Sequence, residues 1–164
     1  MAKHLFRLFV WPVIAVISLM ATPVHAWEIS SYAFVNENGT LRIEGETIHL
    51  YGIHIPETGR HCRTNTRPVI CGSRAYLALE FKIQGFVHCE IRDRNHDGSV
   101  VGHCRVNVSN FDEGTDLSAY LLKRGWAAAL PNAPVRYHTL EKIASRRGMG
   151  VWGFPVDSII RRTR

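Results

Sequence analysis

The chain has 164 residues, 20 Lys plus Arg against 14 Asp plus Glu, a formal net charge of +6 and a hydrophobic share of 46%. That length fits one folded unit, the hydrophobic share excludes a disordered tail, and a charged share of 21% excludes a simple membrane protein. The basic balance invites a nucleic-acid partner, and only its distribution along the chain can decide that.

In chain order, the first segment reads as a secretory signal. Lys3 and Arg7 form a positive start, residues 8–21 are an uncharged apolar run, and Val24-His25-Ala26 offers the small residues of a cleavage site. The run is short for a bilayer span and carries Pro12, which argues against a retained anchor. Cleavage after Ala26 is expected, with export to the periplasm or the medium and no membrane attachment afterwards. It removes two basic residues, leaving 18 against 14 acidic ones. Residues 145–164 hold Arg146, Arg147, Arg161, Arg162 and Arg164 against Asp157 alone, so residues 27–144 are neutral. The basic character belongs to the C-terminal end and not to a groove through the domain, which weakens the case for nucleic acid. The expected organisation is a signal peptide at 1–26, a domain at 27–154 and a basic tail at 155–164.

Residues 29–35, 40–43 and 47–53 read as three strands, rich in β-branched residues. Asn38-Gly39 is a strong hairpin signal and Glu44-Gly45-Glu46 a weaker one. Residues 56–70 read as irregular. A helix over 72–84 follows, with Tyr76, Leu79 and Ile83 on one stripe and Gly85 as its stop. Strands at 86–91 and 100–106 flank Asn95-His96-Asp97-Gly98, which fits a type I turn with a left-handed Gly and pairs Asn95 with Gly98. Thr115 is the expected N-cap of a helix over 116–124 that ends at Gly125, and a third helix runs over 136–147. Trp126 and Trp152 are expected in the core, with Trp152 and Phe154 capping it. His88, His96 and His103 are expected as solvated residues around the hairpin.

The four cysteines, Cys62, Cys71, Cys89 and Cys104, all follow the signal, and an exported chain with an even count is expected to hold two disulfides. No C-x-x-C spacing is present, so a zinc ribbon is not expected. Val87, Cys89 and Ile91 share one strand face, as do Val100, Gly102, Cys104 and Val106. The turn between them sets Cys89 opposite Cys104, and Cys62–Cys71 follows as the second bridge.

Five short strands with a helix after the third suggest a small closed barrel. The segment Thr40-Leu41-Arg42-Ile43, followed by Ile48-His49-Leu50-Tyr51-Gly52-Ile53-His54-Ile55-Pro56-Glu57, resembles the opening of the staphylococcal nuclease-like (thermonuclease) family, whose members read D-G-D-T, a strand, then R-L-x-G-I-D-x-P-E. Cys71-Gly72 with Ala75 and Leu79, the Cys89 to Cys104 hairpin, Leu117 through Gly125-Trp126-Ala127, and Tyr137, Glu141, Ala144, Gly148 and Val151-Trp152-Gly153 extend the resemblance over the mature chain. It implies an α+β, mainly β fold: a five-stranded OB-fold barrel of the staphylococcal nuclease type with about three helices.

The resemblance also implies a chemistry: carboxylates hold Ca²⁺, a glutamate handles the attacking water, and two arginines stabilise phosphate charge. Carried over one position at a time, a metal aspartate falls on Gly39, the first arginine on His49, the second metal aspartate on His54 and the second arginine on Ser99, while the glutamate is kept as Glu57. Losing one such group costs a few powers of ten in rate. The expected protein is therefore an exported relative that binds an oligosaccharide, a protein or, weakly, nucleic acid. An accessory role in exopolysaccharide production is an association that the resemblance brings with it. Ca²⁺ is not an expected cofactor. The alternative is an active secreted nuclease on DNA or RNA with altered metal ligands. His49, His54 and Glu57 would then suit Zn²⁺ or another transition metal better than Ca²⁺.

Overall fold

A computed structural model describes residues 27–56, 61–63 and 68–153, with backbone alone at 61–63 and 68–73. The expected signal peptide, Glu57 and the basic tail lie outside the described residues. Among the described residues no helix is long and apolar enough to cross a membrane.

The chain is α+β, mostly strands, built on a curled mixed sheet with three α-helices. The expected first strand is two pieces, β1 (Glu28–Tyr32) and β2 (Phe34–Val35), because the chain changes partner at Ala33. β1 pairs antiparallel with β8 (Phe86–Arg94), and β2 with β3 (Leu41–Ile43). β3 pairs with β4 (Glu46–Leu50), which runs parallel to β9 (Val100–Val106), and β9 returns antiparallel to β8. The sheet path is thus β1-β8-β9-β4-β3-β2, and its two ends are separated in sequence by Ala33 alone. That connection is what curls it.

The expected strand over 47–53 is also divided. It turns at Tyr51-Gly52, and β5 (Ile53–His54) leaves the sheet to pair with β11 (Ala128–Ala129). The expected irregular segment contains a short hairpin of β6 (His61–Arg63) and β7 (Pro68–Ile70). Proline is tolerated there because it opens the strand and need not donate to a ladder.

Period-2 alternation sends one residue set inward. Leu41, Ile43, Ile48, Val87 and Val100 are fully buried, and Leu79 of α1 (Cys71–Lys82) with Leu117, Leu121 and Leu122 of α2 (Leu117–Arg124) close over them. Each such side chain contributes about 1.5–3 kcal/mol through burial. Trp126 packs against this core, whereas at the end of the described residues the fully buried side chain is Val151 and not Trp152, which is partly buried in a 3₁₀ turn (Gly150–Gly153). Phe154 lies outside the described residues.

The hairpin of β8 and β9 forms the disulfide Cys89–Cys104, with Cα atoms 4.1 Å apart, as expected, although the turn differs. Asn95 N–H donates to Ser99 O at 2.8 Å, so the turn closes on Ser99, one residue later than expected. A register shift between Ile91 and Asp93 takes the extra residue back, and Cys89 still faces Cys104. The bridge spans 15 residues and stabilises by about 3 kcal/mol through the unfolded chain. The side chains of Cys62 and Cys71 lie outside the described residues.

Asp116, not Thr115, caps α2: its side chain accepts from Ala119 N–H. Thr115 and Asp116 both belong to β10 (Thr115–Asp116), paired to the end of β9, and the helix begins only at Leu117, one residue later than expected, so the flanking residue is Asp116. Gly125 ends α2 with its N–H bonded to Leu122 O and Trp126 N–H bonded to Leu121 O. α3 (Val135–Arg146) packs on α2.

Candidate functional site

The positions singled out by the family pattern fall around the ends of β3, β4 and β9. His49 lies on β4 opposite Val101, two residues after Ser99 on the neighbouring parallel segment, so the two positions that the resemblance aligns with arginines share one side of the sheet path. His54 lies on β5 opposite Ala128. Between them, the Tyr51-Gly52 turn is clamped from three directions. Tyr51 N–H donates to Gly102 O at 2.9 Å, Ser118 Oγ donates to Tyr51 O at 2.9 Å, and Leu130 N–H donates to Gly52 O at 3.0 Å. The start of α2 and the strand after it therefore set where His49 and His54 stand.

Gly39 is buried, with a φ of 78°. Its Cα faces Ile55, and a Cβ placed there would lie 2.6 Å from Ile55 Cδ1. Where the family pattern puts a metal carboxylate, this chain has no side chain, and the space next to it is filled by an aliphatic one. Ile55 packs against the core. A hard cation needs oxygen ligands, which this pairing cannot provide. Sequence reasoning overlooked Ile55, although an isoleucine directly after His54 was the available signal.

The two turns that carry Gly39 and Ser99 share one design. In the first, Gly39 N–H donates to Asn36 O, Asn36 Nδ2 to Thr40 Oγ1 at 2.9 Å, and Asn38 Oδ1 accepts from both Thr40 N–H and Thr40 Oγ. In the second, Gly98 N–H donates to Asn95 O, Asn95 Nδ2 to Ser99 Oγ at 2.9 Å, and Asp97 Oδ1 accepts from both Ser99 N–H and Ser99 Oγ. The shared pattern, Asn-x-Asn/Asp-Gly-Thr/Ser, turns polar side chains back onto their own loop. Asp97, the carboxylate at this end, is held at 2.6 Å by Ser99 Oγ.

A second polar cluster joins β9, α2 and α3. His103 Nε2 lies 3.2 Å from Asp116 Oδ2, and Tyr137 Oη donates to the same oxygen at 2.8 Å. Burial pushes the Asp116 carboxyl up, but the hydrogen bonds it accepts from His103, from Ala119 N–H and from Tyr137 outweigh that, and it titrates below its ordinary value. Tyr137 is pushed well above its ordinary value, first by burial and then by the neighbouring Asp116 charge. Contrary to expectation, His103 is not a solvated strand residue: its side chain is 16% exposed and turned to Asp116. His88 is bonded to Ser30, with Oγ to Nδ1 at 2.8 Å, while His96 is exposed in its turn.

Among the described residues no group of three or more His, Cys, Asp or Glu has an arrangement that would hold a metal ion. The proposed set of His49, His54 and Glu57 includes a residue outside them. Neither protein-family models nor curated proteins match this chain.

Proposed function

We propose that this is an exported protein of the staphylococcal nuclease-like type that has left Ca²⁺-dependent phosphodiester hydrolysis and acts by binding, as an accessory factor to a polymer such as an exopolysaccharide. On this reading the curled sheet is a five-stranded OB-fold barrel in which β1 and β2 are halves of one strand. The pairing order and the single parallel contact of β4 with β9 support that. OB barrels present oligonucleotides or oligosaccharides to one face and to the loops beside it.

The observation that carries the reading is the packing of Ile55 against Gly39. It replaces a cation's oxygen ligands with hydrocarbon at the position the family chemistry needs most. Ser99 and His49, in place of two arginines, remove the charge that would steady a phosphate in the transition state. The expected single-stranded DNA and RNA products should therefore not form with Ca²⁺. The test incubates the purified protein with each polymer in Ca²⁺, then Mn²⁺, then Zn²⁺, alongside Glu57→Gln. A Ca²⁺-dependent turnover matching a complete family member, and lost in Glu57→Gln, overturns the reading.

A further inference from the structure

Three cross-strand rows occupy the outer face of β1, β8 and β9. Register sets Glu28 beside Glu90 and Glu90 beside His103, then Ser30 beside His88 and His88 beside Arg105, then Tyr32 beside Phe86. The inward set on the same strands, Ile29, Val87, Cys89, Cys104 and Val106, is buried, which leaves these rows facing out. Around the first two rows the surface sinks into a hollow of about 240 Å³. The third row is aromatic: Tyr32 is 68% exposed and Phe86 50%, their rings edge to face at 4.6 Å.

The loop over 107–114 leaves β9 at Val106, whose partner Val87 adjoins Phe86. It is tied by Ser109 N–H to Asp112 O, by Asp112 N–H to Ser109 O and by Gly114 N–H to Asp112 Oδ1. At its tip Phe111 is 100% exposed. Val108 and Glu113 of the same loop line the hollow. A polar floor is thus bordered by exposed rings on the side where the loop emerges.

The floor is more acidic than the domain that carries it. Glu28, Glu90 and Glu113 line it with Arg105 as the one cation among the lining residues, whereas residues 27–144 as a whole are formally neutral. Glu90 pairs with Arg92 at 2.9 Å and Glu113 with Arg105 at 3.3 Å, both at the surface, where such pairs exchange readily with a ligand's groups. A polyphosphate is repelled by this lining. A ligand with hydroxyls for Ser30 and His88, apolar C–H faces for Tyr32 and Phe86, and ammonium groups for the carboxylates is attracted.

We propose that the outer face of β1, β8 and β9 binds an oligosaccharide built of amino-sugar units with free amines. This rests on the reading of the protein as a binding factor, and it names the ligand class and the face. The purified protein is titrated by calorimetry and amide NMR with a fully deacetylated glucosamine hexamer, with its N-acetylated counterpart, and with tetralysine as a cation without sugar rings. The expected result is a Kd for the deacetylated hexamer below about 1 mM, shifts confined to β1, β8, β9 and the 107–114 loop, and weaker binding of both comparison ligands. Tyr32→Ala, Phe86→Ala and Glu90→Gln are each expected to weaken it about tenfold while amide spectra keep their native dispersion. No binding of the hexamer, tetralysine binding as tight as the hexamer, or shifts centred elsewhere would each overturn the proposal. The Ca²⁺ assay on the same sample separates the two claims, since nuclease turnover sinks the accessory reading while the titration decides this face.

Discussion

Tyr137 donates to Asp116 at 2.8 Å, so the residue that starts α2 also fastens α3. The same carboxylate receives His103 from β9, and one 6% exposed side chain thereby links sheet and both helices. Replacing it removes several interactions together. Asp116→Ala is expected to destabilise the fold by about 3 kcal/mol, combining a lost cap with lost hydrogen bonds to a charge. Tyr137→Phe should cost about 1–2 kcal/mol. In urea unfolding the double variant should be less destabilised than the sum, because the two share one bond. Strict additivity would show that the bond contributes nothing.

Asp116 and Tyr137 also set opposite limits on pH. The folded Asp116 carboxyl lies below its ordinary 3.8, so its contribution is complete above about pH 4 and is lost as pH falls through the folded value. The folded Tyr137 phenol lies above its ordinary 10.0, so its contribution is complete below about pH 10 and declines as pH rises beyond it. Urea midpoints followed from pH 2 to pH 11 should fall at both ends. Asp116→Asn should flatten the acid limb and Tyr137→Phe the alkaline one. An acid limb unchanged in Asp116→Asn would assign it to other carboxyls.

Gly39 and Ile55 provide a test of the proposed absence of a calcium site. Gly39→Asp must place a Cβ 2.6 Å from Ile55 Cδ1 on a backbone with φ of 78°. It is expected to cost about 1–2 kcal/mol. Adding Ile55→Ala should recover the steric part and leave the backbone part. Calorimetry of Gly39→Asp with Ca²⁺ should detect no binding, since one carboxylate does not supply the oxygens a calcium ion takes. Recovery of no stability in the double variant would show that the contact is not what opposes the carboxylate.

Cys89 and Cys104 are 1% and 0% exposed. Under native conditions, reductant should therefore attack only after the hairpin opens. Cys89→Ala with Cys104→Ala is expected to lose about 3 kcal/mol. Thiol labelling of the intact protein during reduction should follow the rate of global unfolding measured in the same buffer. Labelling much faster than unfolding would mean that the hairpin opens locally.

The pairing of Cys89 with Cys104 was legible because a strand shows its facing set at every second residue, although the turn contained one residue more than its signature indicated. The bulge between Ile91 and Asp93 restored the register, and it has no strong local signature because it answers to the turn and to the buried face together. The helix end at Gly125 was legible for the same kind of local reason. The cap at Asp116 was not: Thr115 and Asp116 are both good caps, and β10 runs through both before the helix begins at Leu117, which leaves Asp116 at the cap position.

At the candidate site, the residue types at Gly39, His49, His54, Glu57 and Ser99 were plain in the chain, and so was their difference from the family pattern the sequence resembles. Periodicity and turn residues act over a few neighbours, so strands, helix ends and substituted positions are written in the sequence itself. Only tertiary structure decided that Ile55 lies against Gly39, that His103 turns to Asp116 with Tyr137, and that Tyr32 and Phe86 close one row of an acid-lined face. Each of these joins side chains from separate elements, and the pairing of strands and the packing of helices, not any local preference, bring them within contact distance.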